Sequence, residues 1–327
     1  MNNYSYLQQL LHRSTLSSRL IRELTFDIEQ YIFLTENDRC FDNHIFITGL
    51  ARSGTTILLN SLHSSNEFAS NVYEDMPFIL ATNLWSKINR KGRSLGLRER
   101  SHGDNILISS SSPEAFEEVF WLTFENSSYN IEKLFKAFVA LLLKQKKKVR
   151  YLSKNNQNLM RLNLLSSVFP DSIIFSPFRE PLQQALSLYN QHLKFIKKGK
   201  KDPFIKNYMK WIGHKEFGPG YNVLSTSNLQ FPDPYNFNHW LEQWFLCYRG
   251  LLECSLNNDC HYLVQYELLC GNPKIWTEIK KISQISQNCH FDFRESKNHI
   301  NLPYDRGLSK KCYKLYEEMS RNSLGFE

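Results

Sequence analysis

Between His44 and His63 the chain reads HIFITGLARSGTTILLNSLH, and the polar residues of this stretch are spaced to hold an anion. Gly49 and Gly54 bracket Leu50-Ala51-Arg52-Ser53, and Thr55-Thr56 follow directly. Glycines let the backbone curl until several N–H groups aim at one point, and a helix starting there adds the positive end of its dipole. Arg52 brings one cation, while Ser53, Thr55 and Thr56 bring hydroxyls; together they suit a single phosphate group. The elements that must position this loop are legible on both sides. Ile45 to Thr48 is an apolar, β-branched and aromatic run, which predicts a buried parallel strand entering a tight turn. Leu58, Leu59 and Leu62 then give the segment from Thr55 a face that a helix turns to a core.

Further chemistry-bearing residues sit at the ends of other predicted elements. Val149 to Ser153 reads as a short strand delivering Lys154-Asn155-Asn156 to its carboxyl end, where open parallel sheets bind ligands. Ser172 to Phe175 reads as another, leading into Ser176-Pro177-Phe178-Arg179-Glu180-Pro181. In the helix after Pro181, positions 182, 185, 186, 189, 193 and 196 follow the helical period and Ser187 lies off that stripe. Two proton acceptors stand out. Glu74 precedes Asp75 and Pro77, where a carboxylate also serves as an ordinary helix cap; His102 lies in a polar stretch where a surface histidine is the default.

The loop overlaps the triphosphate-binding pattern G-x-x-x-x-G-K-[ST] but has Thr55 in place of lysine, which removes the principal point charge for a β/γ-phosphate pair. With its R-S-G-T-T, it resembles the 5′-phosphosulfate loop of sulfotransferases that use 3′-phosphoadenylyl sulfate, in the Golgi-type and many bacterial members. Arg179-Glu180-Pro181 followed by Ser187 resembles the 3′-phosphate site of the same family. Tyr266-Glu267-Leu268 is similar to its Y-E-D-L strand end, with Leu268 replacing the usual acid. The likeness spans roughly residues 43 to 320 and is loose in two insertions.

This resemblance implies sulfuryl transfer from 3′-phosphoadenylyl sulfate to a hydroxyl or amine, with no metal. It assigns donor binding to Arg52, Ser53, Gly54, Thr55, Thr56, Arg179 and Ser187, and chemistry to Arg52, Lys154 and Glu74. Lys154 would contact the leaving-group side and Glu74 would deprotonate the acceptor, with His102 as the alternative base. Outside the resemblance, Lys154 reads equally as a capping lysine at a surface turn. A P-loop kinase or NTPase and a non-catalytic nucleotide or polyanion binder remain the rival readings. The acceptor could be a small molecule, a glycan, a lipid or a peptide.

Composition sets the frame. With 327 residues, 42% hydrophobic and 14% aromatic, the chain suits one α/β domain, and the resemblance implies a P-loop-like three-layer sandwich with a short central parallel sheet between helices. Residues 1–42 read as a helical lead-in with Leu7, Leu10, Leu11, Leu20, Leu24, Ile28 and Ile32 available to pack, and 43–327 as the domain. Irregular insertions are expected at about 83–112 and 198–235. The second includes Trp211 to Gly218, which would border the acceptor pocket. Trp240, Trp244 and Tyr248 form a helical stripe read as core. The net charge of +8 suits an anionic donor. Lys144 to Lys148 reads as a solvated helix end and Lys197 to Lys201 as a loop; neither has the interleaved aromatics that would stack nucleic-acid bases. Phe138 to Leu143 falls far short of the roughly 20 residues that span a bilayer, and residues 1–34 lack a signal-peptide core, so a cytoplasmic location is expected. Seven cysteines without C-x-x-C fit a reducing compartment better than a disulfide framework. Cys260-His261 and Cys289-His290 lack the ligand spacing of a zinc site.

Overall fold

A computed structural model of the chain describes residues 5–35, 38, 43–89, 98–99, 107–126, 128–224, 229–287, 289, 293–295 and 297–325. Its strands are β1 (Ile45–Ile47), β2 (Phe68–Ala69), β3 (Arg98–Glu99), β4 (Leu107–Ile108), β5 (Arg150–Lys154), β6 (Ile173–Phe178) and β7 (His261–Gln265). Its first helices are α1 (Tyr6–Ser17), α2 (Arg19–Phe33), α3 (Thr55–His63), α4 (Thr82–Ile88), α5 (Glu118–Phe124) and α6 (Ile131–Lys146). Then follow α7 (Leu162–Val168), α8 (Pro181–Lys201), α9 (Pro203–Trp211), α10 (Phe237–Leu256), α11 (Tyr266–Gly271), α12 (Pro273–Ile282) and α13 (Arg306–Arg321).

Five strands form one parallel sheet in the order β2-β5-β1-β6-β7, and β3 pairs antiparallel with β4 apart from it. Pleating divides the side chains between two helical layers. Phe46, Tyr151, Ile174 and Leu263 enter one core with residues of α6, α8 and α10. Ile47, Leu152, Phe175 and Val264 enter the other with Leu58, Leu59 and Leu62 of α3 and with Ile275 and Ile279 of α12. From β1 the chain moves outward to β2 on one side, and from β6 to β7 on the other. The connections therefore diverge between the adjacent strands β1 and β6, the crevice where parallel sheets bind ligands. The loops that follow these two strands carry Arg52 and Arg179.

Trp240, Trp244 and Tyr248 are core residues, each essentially without solvent contact. The lead-in packs differently from its leucine pattern. Leu16 and Phe26 are buried, whereas Leu7, Leu10, Leu20, Leu24, Ile28 and Ile32 stay about half exposed or more. What anchors α2 is Glu29, which accepts from the backbone N–H groups of Asn83 (2.6 Å) and Leu84 (3.0 Å) and so caps the first turn of α4.

Both insertions are partly helical. The stretch 83–112 begins inside α4 and returns through β3 and β4; Arg100, His102 and Asp104 lie outside the described residues. In the second, α8 runs through the lysine cluster to Lys201 and α9 follows it. Gly199, which reads as a break, is helical because Pro219 packs there: a Cβ would come within 2.6 Å of Pro219 Cγ. The other lysine run is stitched to the protein. Lys144 donates to Phe33 O (2.6 Å) and Asp38 Oδ2 (2.9 Å), Lys146 to Asp75 Oδ1 (2.8 Å), and Lys148 to Asn66 O.

Burial pushes three imidazoles, His44, His63 and His261, down to about 4, with the charges of Arg150 and Lys146 adding to the effect at His44 and His63 respectively. A depressed imidazole contributes stability that is fully present above the unfolded value near 6.5 and is lost as pH falls toward 4. His261 Nε2 lies 2.7 Å from Ser176 Oγ. Glutamine preserves that hydrogen bond without titrating. The stability advantage of the native chain over His261→Gln should shrink by about 1.4 kcal/mol per pH unit below 6.5, measured by denaturant unfolding at pH 7.5, 5.5 and 4.5. A pH-independent difference would contradict it.

Candidate active site

The loop after β1 curls as its glycines allow. Gly49 and Gly54 have φ of 139° and 96°, and Arg52, at φ 71°, holds a left-handed conformation that a non-glycine residue rarely adopts. Gly54 caps α3 without any side-chain hydrogen bond. A Cβ at Gly54 would fall 2.4 Å from the ring of Tyr266. That ring also lies 5.9 Å from the Arg179 guanidinium, so one tyrosine packs against both loops.

Behind the loops lies a residue that sequence reasoning missed. The Gln184 amide nitrogen donates to the carbonyls of Leu50 (3.3 Å) and Ala51 (3.1 Å), and its oxygen accepts from Trp244 Nε1 (3.1 Å). Trp244 Nε1 is also 3.1 Å from the Arg179 carbonyl, and Tyr248 joins through its hydroxyl, 3.1 Å from Pro177 O. The signal was present, because Gln184 is a polar residue inside the apolar arc of α8.

The expected site residues are distributed as follows. Arg52 Nε donates to Ser187 Oγ at 3.0 Å, joining the two motifs directly. The expectation paired Ser187 with Arg179; the Arg179 Nε instead lies 3.9 Å from Glu267 Oε1, a carboxylate that also accepts from Tyr316. Ser53 is fully buried with its hydroxyl on Leu50 O (2.8 Å), so it shapes the loop from inside. Lys154 ends β5 in register with Ile47, and its Nζ is 3.8 Å from Glu114 Oε1. Being buried, it is no surface cap.

Glu74 lies apart from Lys154. Its side chain is 46% exposed and lies 3.7 Å from Lys146, at the end of α6 that leads into the start of β5, whereas Lys154 stands at that strand's finish. The neighbouring Tyr73 points the other way, with its hydroxyl 3.4 Å from Glu114 Oε2. The structure thus groups Glu74 with the Asp75–Lys146 pair and not with Lys154.

Other carboxylates do reach Lys154's surroundings. Thr55 Oγ1 is 3.5 Å from Asn156 Oδ1, and Asn156 Nδ2 is 3.2 Å from Glu216 Oε1. Glu216 Oε2 is 3.2 Å from His214 Nδ1, an ion-pair contact outside hydrogen-bond alignment. Burial pulls the imidazole pKa of His214 below its ordinary value; Glu216 opposes this, Lys154 adds to it and Glu114 opposes it. Asn155 is held by Glu118 (2.9 Å), which with Glu125 also grips Arg161 at 2.8 Å each.

Residues 44–215 match the model of the sulfotransferase family, which covers more than half of the chain. The chain belongs to the sulfotransferase family. Its fold is similar to that of solved bacterial sulfotransferases. STF9 from Mycobacterium avium shares 12% identity over 96% of this chain and 78% of that one, with a TM-score of 0.50. STF1 from Mycobacterium tuberculosis H37Rv shares 14% over 98% and 87%, with a TM-score of 0.48. No curated protein matches the sequence. Among the described residues of this sulfotransferase, no helix is long and apolar enough to cross a membrane, and no group of His, Cys, Asp and Glu is arranged to hold a metal; His290 lies outside them.

Gln184→Leu would take the amide donor from the Ala51 carbonyl, while Leu50 O keeps the Ser53 hydroxyl and Trp244 Nε1 keeps the Arg179 carbonyl. Each buried group left unpaired costs about 1–3 kcal/mol. Calorimetric unfolding should show a Tm lower by several degrees, since about 1 kcal/mol shifts a chain of this size by roughly 2–4 °C. An unchanged Tm would show that the network does not support the loops.

Proposed function

We propose that this sulfotransferase moves the sulfuryl group of 3′-phosphoadenylyl sulfate to an acceptor hydroxyl by in-line displacement. The observation that carries the reading is the pairing of two arginine-bearing loops across one crevice: a lysine-free turn at Gly49 to Thr56, and the Arg179 loop beside it. A triphosphate needs the lysine that Thr55 replaces, whereas a 5′-phosphosulfate and a 3′-phosphate need two separate single-phosphate sites. An amine acceptor would use the same geometry.

In this reading the backbone of Ser53 to Thr56 and the Thr55 and Thr56 hydroxyls hold the 5′-phosphate. Arg52, beside Ser187, and Lys154, buried at the end of β5, neutralise charge that grows on the bridging oxygen as its bond to sulfur stretches. Such transfer passes through a loose transition state, so the protein accelerates it by positioning and electrostatics. Arg179 binds the 3′-phosphate and exchanges its contact with Glu267 for that ligand.

Calorimetry with 3′-phosphoadenosine 5′-phosphate should show binding that a chelator does not abolish. A strict Mg²⁺ requirement would favour a kinase or NTPase. Arg179→Ala should weaken that nucleotide by about ten- to a hundredfold, the worth of one charge-assisted hydrogen bond, and leave AMP nearly unaffected. Equal losses for both nucleotides would remove Arg179 from the 3′-phosphate site.

A further inference from the structure

The helix α2 is apolar on two sides. Its inward side is committed to this chain: Phe26 is fully buried, Arg22 Nε donates to Thr123 Oγ1 of α5 at 2.8 Å, and Glu29 caps α4. The other side carries Leu20, Ile21, Leu24, Ile28, Tyr31 and Ile32, which at 3.6 residues per turn share an arc of about 120°. A globular helix normally lays an arc of that width on its core. Here all six side chains are exposed, Leu20 at 64% and Tyr31 at 91%.

The size and the spacing of this face both describe an interface. The six side chains leave on the order of 600 Å² uncovered, the upper end of what a monomer exposes in one patch. Tyr6, Leu7 and Leu10 are exposed on α1, which packs against α2, and raise the total to about 1,000 Å², where each partner in a stable interface buries about 800 Å². Ile21, Leu24, Ile28 and Tyr31 follow one another at intervals of three, four and three residues, the a and d positions of a heptad. Phe26 and Phe33 fall at f, opposite that seam, and both belong to this chain's own core. The seam on the solvent side therefore has the period that a facing helix requires.

The charges beside the seam select the occupant. Helices that lie in a lipid surface border their apolar face with Lys and Arg. The border here holds the exposed Asp27 and Glu23, whose carboxylate already pairs with Arg19 at 2.7 Å. A second copy of the chain suits the face better, because a two-fold axis lets one patch serve both sides. Antiparallel pairing about that axis sets Ile21 of each copy against Tyr31 of the other and Leu24 against Ile28, so that a large ring meets a smaller side chain, while Glu23 and Asp27 stay at the hydrated rim.

We propose that the exposed face of α2, extended by α1, is the docking surface for a second copy of this chain, with the two α2 helices antiparallel. The test is the mass of the full chain in solution, by sedimentation equilibrium from about 1 to 100 μM. It should approach twice the 38.6 kDa of one chain. Leu24→Glu should weaken the pairing by about thirtyfold or more, the effect of losing one interface hot spot, and Tyr31→Ser, which shortens a side chain that supports no contact within the core, should weaken it in the same direction. Leu256→Glu, at an exposed leucine on α10 far from this face in sequence, should leave the mass unchanged. Circular dichroism of each variant should match that of the native chain. A mass of one chain throughout the range would overturn the inference, as would a dimer indifferent to both Leu24→Glu and Tyr31→Ser. Co-sedimentation of a single-chain species with phosphatidylglycerol vesicles, lost in Leu24→Glu, would assign the face to lipid and overturn it equally.

Discussion

A loop that turns its N–H groups outward toward an anion must turn carbonyl oxygens inward, and a buried carbonyl needs a donor. At Leu50 and Ala51 that donor is the Gln184 amide, whose oxygen in turn takes the Trp244 N–H beside the Arg179 carbonyl. The separation of the two anion-facing loops is therefore set by rigid groups on α8 and α10, not by the loops themselves. A fully used amide at this depth tolerates little displacement, since every shift breaks several bonds together. In the proposed reading, two cationic sites held at a fixed distance discriminate by length, accepting a ligand whose anionic groups are spaced to match.

The cations follow a matching division. Arg161, at 2.8 Å from both Glu118 and Glu125 and stacked 4.8 Å from Trp121, is a strut, and these carboxylates raise its pKa despite burial. Lys154 and Arg179 have looser ion pairs, at 3.8 and 3.9 Å. A carboxylate at that range offsets the cost of burying the charge without fixing it in a short, aligned bond.

How much of this was legible depends on the range of the interaction that fixes each feature. The strand at Ile45, the turn at Gly49 to Gly54 and the Arg179 loop are decided within a few residues by backbone conformation, and they lie where their sequence places them. Lys144 to Lys148 and Gly199 misled, because the partners Phe33, Asp38, Asp75, Asn66 and Pro219 are distant in the chain. Glu74 shows the limit most clearly. Its position after β2 was readable, but the direction of its side chain is governed by Lys146, which no local pattern announces. The apolar pattern of α1 and α2 likewise predicted packing at Leu20 and Leu24 that burial at Leu16 and Phe26 replaces.

His214 and Glu216 owe their placement to a helix ending. Gly213, at φ 74°, terminates α9, and the His214 N–H closes back on Met209 O at 3.0 Å, the bond of a Schellman cap. A Cβ at Gly213 would strike Glu118 Cγ at 2.4 Å. The segment that carries Glu216 thus rests directly on the carboxylate that holds Asn155 and Arg161, next to Lys154. Glu216, Asn155 and Arg161 share this one support. Loops carried on such a rigid support can change length and lining while the elements beneath them stay in place, which is how scaffolds generally separate recognition from framework.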